Sequence, residues 1–340
     1  MRCNLGSKKK TVMIVDALNM YFRAYIVDPS LSGVTGDPIG GLQGFLKILQ
    51  KLTREIDPST VVICWDGAGG SQKRKSLVKS YKAGRKPIRL NRNIRNMPEE
   101  EEIKNKIWQQ TRLIDYINST PVIQLMLESV EADDIISHVA QHPNYKGWNK
   151  IIVSSDKDFY QLCDDETVVF RPIQKKDPKT GKKLPPEVKN KPRIIEEVGI
   201  HPTNFALARA IAGDKSDNLA GVDGVGIKSV AKRLPFLSEE KSYTLDEVQE
   251  YCSTIESGVK AYENIVEQFD KVVLNYKMMQ LYSPVISPQG VGKINYALNN
   301  FEYHFNKTEI RKMMIQDGFG QWNWNDLFQK LSNISSKKGQ

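Results

Sequence analysis

Three short apolar runs of this chain each lead into an aspartate. The runs are residues 11–15 before Asp16, 60–65 before Asp66, and 150–153 shortly before Asp156. Continuous apolar runs of this length are typical of strands that are buried on both faces, as in a parallel sheet. The carboxyl ends of parallel strands lie along one edge, where open α/β sheets bind ligands. The pattern therefore predicts that these three aspartates converge at that edge.

Segments with helical periodicity separate and follow these runs. Residues 41–55 place Leu42, Phe45, Leu46 and Leu49 on one helical face. Further helices are predicted for residues 103–117, 132–140, 203–212, 227–234, 245–251, 259–282 and 307–316. Alternating strands and helices predict right-handed crossovers and an α/β sheet. We expect an α/β core over residues 1–200, a mainly helical subdomain over 201–331 and a polar tail over 332–340.

The charge balance favours a polyanionic partner. The 340 residues include 49 Lys and Arg against 40 Asp and Glu, a formal charge of +9, which makes nucleic acid the leading partner. No apolar run approaches the roughly 20 residues that a membrane helix needs. The four cysteines lie far apart without a Cys-x-x-Cys pair, which disfavours a disulfide framework and a zinc ribbon. We therefore expect a cytoplasmic protein without a membrane anchor.

Much of the positive charge lies in two stretches. Residues 71–95 carry ten Lys or Arg and no acid, with Tyr81 inside the run. Residues 171–193 form the second stretch, in which residues 177–181 predict a turn between two extended arms. Either stretch alone is equally consistent with a solvated surface loop. Their position on both sides of an acid-rich region favours a role in binding nucleic acid.

Further carboxylates stand where they can join the predicted edge. They are Asp158, the Glu131, Asp133 and Asp134 group before an apolar helix, and Asp214 and Asp217 in a Gly-Asp-Lys-Ser-Asp-Asn loop. Each group alone is explained by a helix N-terminus or by turn formation. All together in one cleft they need compensation, because like charges that close cannot all stay ionised. Oxygen-only ligands favour Mg²⁺ or Mn²⁺, and two such ions are a standard device for phosphodiester hydrolysis.

A glycine-rich segment follows these acids directly. Gly221, Gly224 and Gly226 precede a predicted helix that contains Lys228, which is the pattern of a helix-hairpin-helix. Backbone amides of such a hairpin hold a phosphate without reading bases. The alternative is an ordinary glycine turn between two helices. Its place next to Asp214 and Asp217 favours the phosphate site.

The aromatic C-terminal segment is less specific. Trp322 and Trp324 are more typical of core or partner contacts than of base-stacking groups. Residues 318–331 leave two alternatives open, namely core packing, which the pattern favours, and docking of a sliding clamp or a single-strand DNA-binding protein. His138 and His142 lie four residues apart on a predicted helix, but no third soft ligand accompanies them, so a helix-surface pair is favoured over a zinc site.

Six motifs between residues 11 and 235 occur in the order of a known family. They are Ile-Val-Asp16, Trp-Asp66-Gly, Ser-Tyr81-Lys82-Ala-Gly-Arg85, Val-Glu131-Ala-Asp133-Asp134, Ser-Asp156-Lys-Asp158, and Gly-Asp214-Lys-Ser-Asp217-Asn running into Gly-Val-Asp-Gly-Val-Gly226. The chain thereby resembles the structure-specific 5′ nucleases, which include flap endonucleases, the 5′-nuclease domain of bacterial DNA polymerase I and phage 5′ exonucleases. Within them it looks most like the T-even phage RNase H.

This resemblance implies a fold and a set of site residues. The fold is a PIN-like α/β core with a mainly parallel sheet, a helical arch at about residues 71–106, a basic hairpin insertion at about 171–193 and the helix-hairpin-helix at about 203–234. Asp16, Asp66, Glu131, Asp133 and Asp134 would hold a first metal ion, and Asp156, Asp158, Asp214 and Asp217 a second. Lys82 and Arg85 would act on the scissile phosphate. Nucleic acid would be contacted by Lys79, Tyr81, Lys82, Arg85, Gly221, Gly224, Gly226 and Lys228, with Tyr81 stacked on a terminal base and K⁺ held at the hairpin.

The function implied is a Mg²⁺-dependent 5′→3′ exonuclease and flap endonuclease with RNase H activity, which removes RNA primers and 5′ flaps in DNA replication. Its partners would be branched or nicked DNA and RNA/DNA duplex, bound by a monomer in the bacterial host cytoplasm of a phage. Two other classes stay open at this point. One is a non-catalytic nucleic-acid-binding protein on the same fold, and the other is a metal-dependent phosphatase. The complete set of acids argues against the first, and the hairpin with two basic stretches argues against the second.

Overall fold

The structure, a computed structural model, describes residues 9–336 apart from 173–176, 179, 182, 183 and 185. Its strands are β1 (Thr11–Asp16), β2 (Thr60–Trp65), β3 (Ile123–Met126), β4 (Asn149–Val153), β5 (Thr167–Arg171), β6 (Glu187–Lys189) and the two-residue strands β7 (Gly213–Asp214) and β8 (Leu219–Ala220). The first six form one sheet in the order β3-β2-β1-β4-β5-β6, in which only β6 is antiparallel to its neighbour. The expected α/β class with a mainly parallel sheet is confirmed.

Strand β1 lies in the middle of this sheet, and the chain places β2 on one side of it and β4 on the other. This is a topological switch point, where the loops after the strands diverge and leave a crevice. Strands β2 and β4 are buried along their whole length, and β1 from its second residue onward. The three strands predicted from apolar runs are therefore confirmed, and each is buried on both faces.

The sequence pattern missed β3 and β5, while β6 lies in the second of the two extended arms predicted around residues 177–181. Strand β3 has only four residues, and its exposed end and the polar Gln124 break the apolar run. Strand β6 is a three-residue edge strand. Short edge strands carry little periodicity, so their pairing is decided by the neighbouring strand more than by their own sequence.

The helices surround this sheet. They are α1 (Ala17–Val27), α2 (Gly40–Ile56), α3 (Gln72–Leu77), α4 (Glu99–Asn118), α5 (Ala132–Ala140), α6 (Lys191–Val198), α7 (Phe205–Ala212), α8 (Ile227–Arg233), α9 (Leu245–Thr254), α10 (Lys260–Glu267), α11 (Phe269–Met279), α12 (Pro288–Asn300), α13 (Lys307–Gln316) and α14 (Trp324–Ser336). Short 3₁₀ helices cover Pro143–Tyr145, Asp158–Leu162, Pro202–Asn204 and Pro235–Ser238. Among the described residues, no helix combines the length and apolar character needed to cross a bilayer.

The predicted helices exist, with two kinds of difference. The predicted helix over residues 259–282 is two helices, α10 and α11, separated by Gln268. Helices α1, α6, α12 and α14 have no counterpart among the predicted helices. Helix α1 begins directly after β1, with Asp16 as its N-cap, so its apolar residues merge with those of the strand in the sequence pattern.

The helices pack on both faces of the sheet and form two hydrophobic cores. One core joins alternate sheet residues such as Val12, Ile14 and Val62 to α5 and to the helices between α7 and α12. The other joins Met13, Val15 and other sheet residues of the opposite face to α1, α2, α4, α13 and α14. The alternation of side chains along each strand thus assigns successive residues to different cores.

The two C-terminal helices pack on the α2 side of the sheet. Leu327, Phe328, Leu331 and Ile334 of α14 are buried there, and Ile310 of α13 joins them. These helices belong to the same core as α1 and α2, so they pack apart from the helices between α7 and α12. Within the predicted subdomain of residues 201–331, α13 and α14 thus share a core with α1 and α2, and the domain bounds stay a prediction. Core packing, the favoured alternative for residues 318–331, describes most of α14.

The two basic stretches differ in regularity from their predictions. Residues 71–98 contain one short helix, α3, and otherwise turns and irregular backbone, so regular helix in the predicted arch is limited to α3 and the start of α4. Arg89 joins this segment to α4 through Glu102, at 2.5 Å, and Glu99, at 2.9 Å. In the second stretch the Gly181 amide donates to the Asp177 carbonyl at 2.8 Å, which confirms the turn. The lysines of that stretch at Lys175, Lys176, Lys179, Lys182 and Lys183 lie outside the described residues.

The packing of α14 generates a stability prediction. Leu331→Ala should lower the free energy of unfolding by about 2–5 kcal/mol, because it leaves a cavity where a fully buried side chain contacts the α2 core. Gln329→Ala, an exposed residue of the same helix, is the control and should change stability little. Urea denaturation measures both. A loss of stability below about 0.5 kcal/mol for Leu331→Ala would show that α14 is not part of this core.

Candidate active site

A cleft of about 500 Å³ opens at the carboxyl edge of the sheet. Its charged lining residues are Asp16, Asp66, Asp133, Asp156, Asp217, Lys82, Arg85 and Arg23. Leu18, Asn19, Phe22, Ile26 and Ile88 complete the lining. The aspartates that follow β1, β2 and β4 thus line one cleft, as the strand pattern predicts.

Asp16 is held in place by neutral hydrogen-bond donors. It ends β1 and caps α1, where its Oδ1 accepts from the Asn19 amide at 3.1 Å. Its Oδ2 accepts from the Ser154 hydroxyl at 2.8 Å. Burial, with a smaller effect from the charges of Asp66 and Asp156, raises the pKa of Asp16 to about 7 in spite of these two bonds. The protein therefore fixes the position of this carboxylate while leaving its negative charge poorly compensated.

Asp66 and Asp133 lie where the end of β2 meets the start of α5. Asp66 Oδ1 accepts from the Ala132 amide at 2.9 Å, which holds the first turn of α5 beside the strand. Asp133 lies in that turn, and among the described residues no donor bonds to its side chain. Burial raises the pKa of Asp133 well above its ordinary value, and Asp156 and Asp16 add to the effect.

A second acidic group adjoins the cleft. Carboxylate oxygens of Asp158, Asp214 and Asp217 lie within 4.8 Å of one another. Burial, followed by the charge of Asp156, raises the pKa of Asp158 to about 7, although Arg209 lies close and donates to it at 3.2 Å. Arg209 also pairs with Asp214, and together with hydrogen bonds from Ser216 it lowers the pKa of that residue against the effect of burial. Because Asp217 also lines the cleft, the two acidic groups are continuous.

The donor set of this site fits divalent cations. All of its candidate ligands are carboxylates, which suit hard divalent ions. Burial, together with repulsion among the aspartates, raises the pKa values of Asp16, Asp133 and Asp158, so full ionisation of the cluster is disfavoured without added positive charge. A divalent cation would supply that charge.

Two residues predicted as ligands of the first metal lie elsewhere. Both oxygens of Asp134 bond to the Arg74 guanidinium, at 2.7 and 3.1 Å, and its Oδ1 also accepts from the Val285 amide at 2.9 Å. Glu131 accepts from Arg74 at 2.6 Å, Tyr81 at 3.1 Å and Lys82 at 2.5 Å. Neither residue lines the cleft. The assignment of both residues as metal ligands stays a prediction, and in this arrangement the Asp134 carboxylate forms a buried ion pair while Glu131 holds the Lys82 ammonium.

Lys82 and Arg85 lie at the rim of the cleft on the loop after α3. The Lys82 amide donates to the Asp217 carbonyl at 2.8 Å, with Lys82 in the left-handed region at φ 55°. Arg85 Nε donates to the Ser216 carbonyl at 3.0 Å, and its guanidinium pairs with Asp217. Burial alone would lower the pKa of Lys82, but Asp133 and Glu131 outweigh it and raise the pKa, so the ammonium stays charged. The loop after α3 that carries Lys82 and Arg85, here called the basic loop, thus contacts the loop that carries Ser216 and Asp217.

Tyr81 does not lie where its predicted stacking role requires. Its ring is 3% exposed and packs with Leu219, Met278 and Met279, while its hydroxyl donates to Glu131. A base cannot stack on a ring that is buried on both faces. Phe22 of α1, which is partly buried, is an aromatic residue among the described residues that line the cleft.

The glycine-rich hairpin connects α7 to α8. The Val222 amide donates to the Ile211 carbonyl at 2.8 Å, and Gly226 is the N-cap of α8. Gly213, at φ 74°, and Gly221 approach each other so closely that a side chain on either would collide with backbone atoms. Gly224, Gly226 and Lys228 are exposed, Gly221 is partly exposed, and Lys79 is exposed on the basic loop. The hairpin therefore presents backbone to the solvent, as a phosphate site requires.

Sequence reasoning missed Arg74, Arg209 and Phe22. Arg74 belongs to the basic run of residues 71–95, and nothing in that run marks it as the one buried at 7% exposure. Arg209 lies in the apolar helix α7, five residues before Asp214. A single cation among alanines can indicate a buried ion pair. Phe22 lies six residues after Asp16, which places it less than two helical turns from the first carboxylate.

Comparisons with known proteins decide the family. Residues 11–193 match the model of the 5′-3′ exonuclease N-terminal, resolvase-like domain. The chain belongs to the 5′-3′ exonuclease family. It is a nuclease, and the prediction of a structure-specific 5′ nuclease is confirmed, while the finer likeness to the T-even phage enzyme stays a prediction.

Its relatives include separate exonucleases and larger polymerases. The chain is 31% identical over 238 residues to a 5′-3′ exonuclease of Buchnera aphidicola, covering 69% of this chain and 74% of the relative. It is 25% identical to a 5′-3′ exonuclease of Aquifex aeolicus, covering 90% of this chain and 94% of the relative. It is also 27% identical to DNA polymerase I of Bacillus subtilis, covering 98% of this chain but only 34% of the polymerase.

Solved structures show the same fold. The flap endonuclease of bacteriophage T5, in complex with DNA and metal ions, matches with a TM-score of 0.60 at 17% identity, covering 97% of this chain and 100% of that chain. Human GEN1, in complex with Holliday junction DNA, matches with a TM-score of 0.58 at 12% identity, covering 98% of this chain and 73% of that chain. The PIN-like 5′-nuclease fold expected from the sequence is confirmed by these matches.

The acidic cluster predicts a pH dependence. A carboxylate with a raised pKa stabilises the fold below its ordinary pKa and loses that contribution as the pH rises through the folded value, which is about 7 for Asp16. In protein freed of divalent ions, the stability of the wild type relative to Asp16→Asn should therefore fall by about 2 kcal/mol between about pH 5 and about pH 7.5. Urea denaturation in EDTA at both pH values measures this difference. The histidines contribute equally to the unfolding free energy of both proteins, so their titration cancels in the difference. A difference that does not change with pH would contradict the raised pKa.

Asp133 and Asp134 form a matched pair for testing the ligand assignment. Asp134→Asn should destabilise the protein by about 3 kcal/mol or more, because it breaks a buried ion pair and leaves Arg74 undercompensated. Asp133→Asn should leave the metal-free protein as stable as the wild type or more stable, because it removes an uncompensated charge. Mg²⁺ should raise the Tm of the wild type and of Asp134→Asn, and raise that of Asp133→Asn less. Loss of the Mg²⁺ effect in Asp134→Asn alone would restore the sequence-based assignment.

Proposed function

We propose that this protein is a Mg²⁺-dependent 5′→3′ exonuclease and flap endonuclease with RNase H activity, which removes RNA primers and 5′ flaps during DNA replication. The observation that carries the proposal is the continuous group of carboxylates at the carboxyl edge, beside two cations at the rim of the same cleft. These carboxylates are Asp16, Asp66, Asp133, Asp156, Asp158, Asp214 and Asp217. Family membership supplies the reaction class.

Two divalent cations are assigned to the two acidic groups. Asp16, Asp66 and Asp133 would hold the first, and Asp158, Asp214 and Asp217 the second. Asp156 interacts electrostatically with members of both groups, so it is placed between them. When bound, such cations lower the pKa of water and stabilise charge on the attacking and leaving oxygens of a phosphodiester. Mn²⁺ is expected to substitute for Mg²⁺, since both prefer oxygen ligands.

Lys82 and Arg85 are assigned to the scissile phosphate. Both line the cleft, and each is paired with a carboxylate, Lys82 with Glu131 and Arg85 with Asp217. The Glu131 contact fixes the ammonium while Arg74 shares the charge of that carboxylate. A phosphate entering the cleft would exchange the Arg85 ion pair for a contact with phosphate oxygens. Phe22 would offer its ring to the base next to that phosphate.

The hairpin and the basic loop are assigned to substrate binding. Backbone amides near Gly221, Gly224 and Gly226, with Lys228, would hold a phosphate of the duplex, and Lys79 would contact another. K⁺ bound in the hairpin loop is part of the same proposal. The substrates proposed are branched or nicked DNA and RNA/DNA duplex, bound by a monomer. A sliding clamp or a single-strand DNA-binding protein remains a predicted replication partner.

One assay separates this proposal from its two rivals. The wild type is mixed with a 5′-flap DNA, a nicked duplex and the same duplex with a 5′ RNA strand, with and without Mg²⁺. We expect release of nucleotides or of the flap only with Mg²⁺. Binding without cleavage would favour a non-catalytic nucleic-acid-binding protein. Release of inorganic phosphate without shorter strands would favour a phosphatase. Titration of cleavage with Mg²⁺, Mn²⁺ and Ca²⁺ then ranks the ions.

The rim cation provides a kinetic prediction. Lys82→Ala should lower kcat on a flap substrate by about 10³-fold, because it removes a charged contact to the reacting phosphate. Lys86→Ala, on the same loop but outside the cleft lining, is the control and should change kcat only a few-fold. Single-turnover cleavage measures both, and binding by anisotropy in Ca²⁺ checks that the substrate is still held. A rate for Lys82→Ala within a few-fold of wild type would remove Lys82 from the reaction.

A further inference from the structure

A groove of about 620 Å³ runs along the outer side of α2, apart from the acidic cluster. Arg23, Lys47, Lys51 and Arg54 line it, and none of its described lining residues is acidic. At its edge, Lys51 lies 3.9 Å from Glu55 and Arg54 lies 3.8 Å from Asp326. Three of these cations are spaced i, i+4 and i+7 on α2, which puts them on one face of the helix and spreads them over about 10 Å. A row of cations at that spacing suits the binding of a linear polyanion.

The groove also contains an exposed aromatic ring. Trp322 is 46% exposed, whereas Trp324 is partly buried in the core, so only one of the two tryptophans follows the core expectation. The Trp322 indole N–H donates to Gln50 Oε1 at 2.6 Å. Gln50 is itself fixed by bonds to the Asn323 carbonyl and to Asp326, at 3.1 and 3.2 Å. The Lys47 ammonium lies over the same ring, 4.5 Å from its centroid. The ring is therefore held in one orientation beside a cation, with much of its surface in solvent.

This groove is continuous with the catalytic cleft. Arg23 and Ile26 of α1 line both spaces. At its far end Gln50, Arg54 and Trp322 also line a further depression of about 550 Å³. A strand that passes through the cleft can therefore leave it across α1 and continue along α2 to the indole.

We propose that this groove binds a single strand of nucleic acid that extends from the catalytic cleft. Lys47, Lys51 and Arg54 contact successive phosphates, and a base stacks on the Trp322 ring. Positive charge combined with an aromatic platform is the general means of binding single strands without sequence preference. The proposal rests on the proposed function for the direction of the strand, because it treats the groove as an extension of the cleft. An acidic protein segment is the competing occupant.

Binding of single strands tests the proposal directly. Fluorescence anisotropy with labelled oligothymidylate of about 20 nucleotides is measured in EDTA over a range of salt concentrations. The double variant Lys47→Gln, Lys51→Gln should bind about tenfold more weakly at low salt. It should also flatten the slope of log K against log salt by about 1.4, since each single-strand phosphate contact contributes about 0.7. Trp322→Ala should weaken binding about fivefold or more with an unchanged slope, whereas Trp322→Phe should retain most of the affinity.

A charge-matched control separates the groove from net charge. Lys293→Gln with Lys312→Gln removes two exposed lysines outside the groove, and it should leave both affinity and slope near the wild type. Circular dichroism confirms that each variant is folded. Cleavage of a nicked duplex without a single-stranded tail should be the same in the groove variants and the wild type. Cleavage of the same duplex with a tail of about 20 nucleotides should fall in the groove variants alone.

The outcomes distinguish failure of this inference from failure of the proposed function. Equal affinity and salt slope for the wild type and the groove double variant would overturn the groove proposal, whatever the nuclease activity. A wild type that cleaves no substrate but binds oligothymidylate through Trp322 would overturn the proposed function alone. A polyglutamate peptide that binds in a Trp322-dependent manner, while oligothymidylate does not, would assign the groove to an acidic protein and overturn the inference.

Discussion

The gathering of acidic side chains at the switch point of a parallel sheet is the constraint on which the rest of the structure depends. Strands β1, β2 and β4 end side by side, and each is followed by an aspartate that the sheet geometry cannot move away from the others. Neutral donors such as Ser154 and the Asn19 amide fix Asp16 without balancing its charge. The result is a cluster of carboxylates that fits the proposed binding of divalent cations.

The surrounding cations show why the site stays open to such ions. Arg74 forms ion pairs with Asp134 and Glu131. Arg209 forms ion pairs with Asp158 and Asp214. These guanidinium groups stabilise the periphery of the acidic cluster and hold neighbouring elements together. Asp133, at the centre, has no such partner among the described residues. Structural ion pairs and uncompensated carboxylates thus occupy adjacent positions, and only the second kind is suited to metal binding.

Helix α1 links the chemistry to the proposed strand path. Its first residue follows the carboxylate of Asp16, its middle presents Phe22 to the cleft, and Arg23 and Ile26 face both the cleft and the groove along α2. The same helix packs against α2 through buried tyrosines such as Tyr21 and Tyr25. Helix α1 therefore sets the relative position of the cleft and the basic groove, which favours the proposed continuous path for a strand.

The sequence by itself determined the α/β class, the three central strands, the convergence of Asp16, Asp66 and Asp156, and the family, because strand-end aspartates and ordered motifs are local features of the chain. Tertiary structure alone separated the surroundings of Asp133 from those of Asp134. Consecutive residues of a helix point about 100° apart, so one faces the cleft and the other faces Arg74. It also decided that Tyr81 is buried, that Arg74 is a structural cation among surface ones, and that Trp322 is exposed while Trp324 is partly buried. In each case the role depends on which distant element packs against the residue, and no local pattern carries that information.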